Sequence, residues 1–136
     1  MTDTSTVYAF RARVDLPYGV GVEKVTAVLR EEGFGILTEI DVRATLKNKL
    51  DTDFRKYTIL GACNPSLAYE ALNNELEIGL LLPCNVIVYK DDSQKGSVVS
   101  IVDPITMLGV ATNPNLDSVA SEARIRLLRV LATLGK

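Results

Sequence analysis

Two stretches of this chain, Leu80 to Tyr89 and Ser97 to Asp103, read as the strands of one hairpin that is apolar on both sides. Val86 and Val88 alternate with Ile87 and Tyr89, and Val98 and Val102 alternate with Val99 and Ile101. Successive strand side chains point to opposite faces, so both faces of such a hairpin carry apolar groups. Cover on one side only would leave one set in water. Two covers are available. The long C-terminal helix can fold back within the monomer, or a second copy of the chain can pack on the open face. The second makes a homodimer the expected form, and the pattern alone leaves both open.

The remaining periodicities give the elements around that hairpin. From Val7 to Val14, Tyr8, Phe10, Ala12 and Val14 alternate with Arg11 and Arg13, as in a half-buried strand. Val22, Val25, Val28 and Leu29 then fall at helical spacing, and Gly33 supplies a left-handed stop. Phe34 to Val42 resumes strand alternation, which predicts Ile36, Ile40 and Val42 inward and Glu39 and Asp41 outward. Arg43 to Leu50 reads as a short helix anchored by Leu46 and Leu50, and Tyr57 to Ala62 as a third strand. Asn64 is placed as a helix N-cap with Pro65 as the first helical residue, because proline lacks only a donor that has no partner there. Asn113-Pro114 repeats that start before a final helix reaching Leu134.

The order is strand, helix, strand, short helix, strand, helix, strand, strand, long helix. It predicts one α+β domain over residues 1–136: a mainly antiparallel sheet of about five strands with helices on one face. Pro83 cannot donate to a ladder, so its strand is expected at an edge or a bulge.

Chemistry is narrowed by what is missing. The chain has no histidine, which removes the usual general base near neutral pH and the commonest metal ligand. The two cysteines, Cys63 and Cys84, fall short of a four-ligand zinc site, so neither a metal nor a cofactor is expected. A net charge of −2 with interspersed signs argues against a phosphate-binding footprint, and Glu39 and Asp41 are expected to offset Arg11 and Arg13. No nucleic-acid partner is expected. The longest apolar stretch, Ile78 to Tyr89, is broken by Gly79, Pro83 and Asn85 and falls short of the about 20 residues a membrane helix needs. The polar start, with no basic and apolar leader, predicts a cytoplasmic protein with reduced thiols and no membrane partner.

Both cysteines sit in Cys-Asn dipeptides that touch a proline, Cys63-Asn64-Pro65 and Pro83-Cys84-Asn85. With Gly33-Phe34-Gly35-Ile36-Leu37-Thr38-Glu39-Ile40-Asp41, Thr45-Leu46-Lys47, Leu60-Gly61-Ala62 and Leu81-Leu82 before them, and Asp103-Pro104 and Met107 after, nearly the whole chain resembles domain-of-unknown-function family 302. The resemblance implies a TATA-box-binding-protein-like α+β fold, a curved antiparallel sheet with helices on one face, and a tendency to form homodimers. It implies no activity, cofactor or catalytic residue, and fold likeness to a DNA-bending protein does not transfer DNA binding.

The candidate site residues are therefore read from their own chemistry. Cys63 stands just before a helix start, where the dipole favours a thiolate, so it is a candidate nucleophile or persulfide carrier with Cys84 as its resolving partner. The alternative is that both thiols are small buried packing groups. Asn64 and Asn85 are candidates for one polar ligand pocket, or else satisfy local backbone groups. Asp103 and Met107 are candidates to extend that pocket, or Asp103 simply starts a turn. Lys47, Lys49, Arg124, Arg126 and Arg129 are expected on solvated helix faces. The leading expectation is a non-catalytic module binding a small molecule; thiol redox or sulfur transfer is the alternative.

Overall fold

The computed structural model describes residues 2–3, 7–91 and 95–135, so part of the polar N-terminal run and of the turn at 91–96 lies outside the described residues. The alternating stretches form strands β1 (Thr2–Asp3), β2 (Ala9–Val14), β3 (Gly35–Asp41), β4 (Tyr57–Cys63), β5 (Cys84–Lys90) and β6 (Ser97–Val102). They make one antiparallel sheet in the order β1-β2-β6-β5-β4-β3, so the apolar hairpin β5–β6 lies at its centre. Pro83 does not interrupt this central ladder, because it precedes β5 on a cis Leu82–Pro83 bond. Residues 80 and 81 belong instead to a 3-10 turn, Leu76–Leu81.

Helices α1 (Tyr18–Glu31) and α5 (Asp117–Leu134) cover one face. Val25, Val28 and Leu29 of α1 and Ala123, Leu127, Val130, Leu131 and Leu134 of α5 pack with Phe10, Ala12, Leu60, Val86, Val88, Val99 and Ile101. The final helix thus supplies cover for one face of the hairpin. Arg124, Arg126 and Arg129 also do more than sit in solvent. Arg124 lies over the Phe10 ring, 5.0 Å from its centroid, while Arg126 and Arg129 reach Glu32 at the end of α1.

Among the described residues no helix packs on the opposite face in this way, yet its central residue is not wet. Val98 pairs with Arg13 and Tyr89 on its two sides and is 3% exposed. Long side chains that lie along a sheet cover apolar neighbours with their stems, and Arg13 is held there by an ion pair with Asp91. Ile87, Tyr89 and Val102 are half-buried. The hairpin is sheltered in large part by its own chain, so its open face does not by itself require a second copy.

In β3 the expected inward set is split. A bulge between Ile36 and Thr38 inserts one extra residue opposite β4, and a one-residue slip sends every later side chain to the other face. Ile36 still packs on the core, but Ile40 is 46% exposed on the far side. Glu39 and Asp41 pair with Leu60 and Thr58 on the helix side, where their charges act on Tyr18. They are also remote from β2 in strand order, so they do not offset Arg11 and Arg13.

Helix α2 (Val42–Leu50) starts at Asp41, whose side chain accepts from the Ala44 amide at 2.9 Å. It buries no residue, and Leu50 is exposed rather than an anchor. Helix α3 (Pro65–Asn74) starts as its sequence requires: Asn64 Oδ1 accepts from the Leu67 amide at 3.1 Å, with Pro65 first in the helix. Asp103 caps a short helix, α4 (Pro104–Gly109), in place of the expected turn. Ala71, Ile78, Leu108, Leu116, Val119 and Ala120 join α3, the 3-10 turn, α4 and α5 in a second apolar cluster beside the first.

Candidate functional site

Where these two clusters meet, at the Cys63 end of β4 and the Cys84 end of β5, the packing leaves a pocket of about 280 Å³. Its size follows from small residues at the closest approaches. Ala68 and Ala71 face it from α3, Ala62 from β4 and Ala123 from α5. Phe34, Leu67, Leu82, Leu108 and Val119 form much of its wall, and Leu37 and Leu72 stand on exposed positions beside it. Leu37 is the residue of the β3 bulge, so the irregularity that reverses the strand also brings this side chain to the pocket.

Three of the six candidate residues converge here: Cys63, Asn64 and Cys84. The pairing of Ala62 with Cys84 across β4 and β5 sets the two cysteines beside one another in the sheet. Asn64 is the only lining side chain with a strong hydrogen-bonding group, and its oxygen is engaged in the α3 cap. Asn85 pairs with Gly61 and is exposed, apart from the pocket. Asp103 is occupied at the α4 start, with Arg124 Nε 3.6 Å away, and Met107 packs at the edge of the second cluster. Neither lines the pocket.

Both thiols are free. Burial pushes the Cys63 thiol above its ordinary value. Burial, with the neighbouring Cys63 adding to it, pushes Cys84 up to about 11. Taking a thiolate out of water in an apolar wall favours the protonated thiol, and so acts against the thiolate that a helix start favours. Among the described residues no group of three or more histidine, cysteine or acidic side chains is arranged to hold a metal ion. What the pocket offers is shape, apolar contact and two soft, protonated sulfurs.

Sequence reasoning found the polar punctuation of this site and missed its walls. Ala68, Ala71 and Leu72 carry the usable signal, at helical spacing on one face of α3. A small residue on an apolar stripe marks either close packing or space, and only the distant partners Phe34, Leu108 and Val119 decide which.

Among the described residues no helix is long and apolar enough to cross a membrane. No curated protein matches the chain. A solved structure does: the crystal structure of the uncharacterized conserved protein DUF302 from Bacillus stearothermophilus is 28% identical, with 95% of this chain and 99% of that chain covered and a TM-score of 0.86. Residues 10–134 match the profile of the domain of unknown function DUF302. On that match, which takes in both clusters, the sheet apart from β1 and Ala9, and the pocket, the chain belongs to the DUF302 family.

Proposed function

We propose that this chain is a non-catalytic binding module whose ligand is a small, uncharged, apolar molecule held between α3 and the Cys63–Cys84 end of the sheet. The observation that carries the reading is the lining itself. Apart from two protonated thiols and one asparagine already committed to a helix cap, the lining side chains are hydrocarbon. A concave, mostly apolar pocket with few polar groups is the usual form of a small-molecule site, and about 280 Å³ lies just below the typical ~300–1,000 Å³, which suits a small ligand. An ion there would lose its hydration with no compensating charge. The reading needs no second copy of the chain, and it fits a cytoplasmic module on a curved, TATA-box-binding-protein-like sheet.

The test is binding of the neutral dye N-phenyl-1-naphthylamine, read by its fluorescence. Binding to the native protein, lost in the space-filling variants Ala68→Phe and Ala71→Leu with thermal unfolding as a folding check, is the expected result. No binding, or equal binding by folded filled variants, overturns the proposal.

Thiol redox or sulfur-transfer chemistry at Cys63 and Cys84 is the second reading, favoured by one fact: both sulfurs border one pocket. The upward displacement of both thiols works against it.

A further inference from the structure

The face of the sheet opposite α1 and α5 carries a groove of about 450 Å³ with a different chemistry. Four of the chain's eight aromatic residues gather there: Tyr8, Phe54, Tyr57 and Tyr89. The strands dictate part of this, since Tyr57 and Tyr89 are cross-strand partners and stack at 5.5 Å with an interplanar angle of 8°. Tyr8 comes from just before β2, and the segment 51–56 sets Phe54 6.1 Å from Tyr57 at 51° and Arg55 5.8 Å over the Tyr89 ring. Arg11 enters from β2, half-buried beside Ser100. The lining therefore holds two guanidinium groups and no carboxylate. Glu39 and Asp41, which the sequence placed against Arg11 and Arg13, lie on the other face of the sheet, while Asp3 of β1 is the cross-strand partner of Arg11.

We propose that this groove is a second binding site, independent of the apolar pocket, for a small planar aromatic anion. Its ring would lie against Tyr57, Tyr89 and Phe54, and its carboxylate or phosphate oxygens would meet Arg11 and Arg55. Stacked rings and guanidinium planes suit a flat partner, and charge-assisted bonds from planar arginine suit an oxyanion. Arg11 and Arg55 also take part in contacts within the protein, and Arg55 Nη1 lies 3.5 Å from the Lys90 carbonyl oxygen. Each guanidinium has five donors, so such contacts and a ligand's oxygens can be held together. A second copy fits worse, because face-to-face pairing would bring together two linings that each carry guanidinium groups and no carboxylate.

Calorimetric titration with 2-naphthoate, 2-naphthyl phosphate and the neutral 2-naphthylmethanol tests this. Both anions, or one of them, should bind at least tenfold more tightly than the alcohol, and the better anion identifies the oxyanion taken. Arg55→Gln and Arg11→Gln should each weaken anion binding about fivefold or more, and Tyr89→Leu should do the same. The filled variant Ala71→Leu should leave it unchanged, which separates this site from the apolar pocket. Arg55→Gln changes an exposed side chain and serves as the reference if Tyr89→Leu fails to fold. Equal binding of the alcohol, no binding of either anion, or an affinity unmoved by Arg55→Gln overturns the proposal. So does sedimentation that shows concentration-dependent dimers abolished by Arg55→Gln, since the face would then belong to a second copy.

Discussion

The side-chain amide of Asn64 occupies the space that a β-carbon on Gly33 would need: an atom built there would lie 2.8 Å from Asn64 Nδ2. Gly33 also has φ +87°, where side chains are disfavoured, and the turn is held by Gly33 and Phe34 amides donating to Arg30 and Leu29 carbonyls at 3.0 and 2.9 Å. The end of α1 and the start of α3 are therefore fitted to one another through a missing side chain.

Gly33→Ala should destabilise the protein by about 1–2 kcal/mol from the left-handed backbone, with the contact against Asn64 added. Asn64→Ala alone should cost about 1 kcal/mol by removing the α3 cap. Because the second change removes the obstructing amide, the double variant should lose less than the sum. Urea unfolding of the four proteins measures this, and strict additivity would disprove the fit.

Gly61 answers to the same logic on the open face. A β-carbon there would collide with Thr38 Oγ1 and approach Pro83 Cγ at 2.8 Å. Gly61→Ala should cost about 1–3 kcal/mol as overpacking, and Thr38→Gly in the same chain should recover part of it. An unchanged denaturation midpoint for Gly61→Ala would contradict the observed closure of Thr38 over β4.

Cys84 gives the protein a pH dependence of known sign. Unfolded, the thiol ionises near 9.0; folded, it keeps its proton until about 11. Between those values the folded state binds more protons, so stability falls as pH rises, by on the order of 3 kcal/mol in full. Other groups titrate in this range, so the measurement is the difference between native protein and Cys84→Ala followed from pH 8 to 11. Parallel stability curves would refute the assignment.

Alkylation by iodoacetamide should be slow at pH 7.5, with half-buried Cys63 reacting before buried Cys84 and both accelerating as pH rises or as the protein unfolds. A Cys63 that reacts in the folded state faster than a free thiol would revive sulfur chemistry at this pocket.

How far the sequence can be read depends on the range of the force involved. The Asn64–Pro65 start of α3 and the Gly33 stop of α1 were legible because a cap and a left-handed turn are fixed by a few adjacent residues. The central sheet, and the apolar stripe of α5, were legible from periodicity. Helix α4 looks like a turn in the sequence because six residues, Pro104–Gly109, are too few to show a period. The sides of Ile40, Glu39 and Asp41 were reversed because nothing local marks the bulge. The pocket was only half visible: its sulfurs are chemically distinctive, but an empty volume is a property of several remote segments at once.

The bulge in β3 has a further consequence. Leu37 acts as a phase shifter, letting one strand obey two different alternations in seven residues. Deleting that residue would leave one unbroken alternation with the same partners, Ile40 still on the open face and Glu39 and Asp41 still toward the helices. The strand can therefore shed its extra residue without turning its acids outward: register fixes the charge of its open side, while the leucine itself serves the pocket.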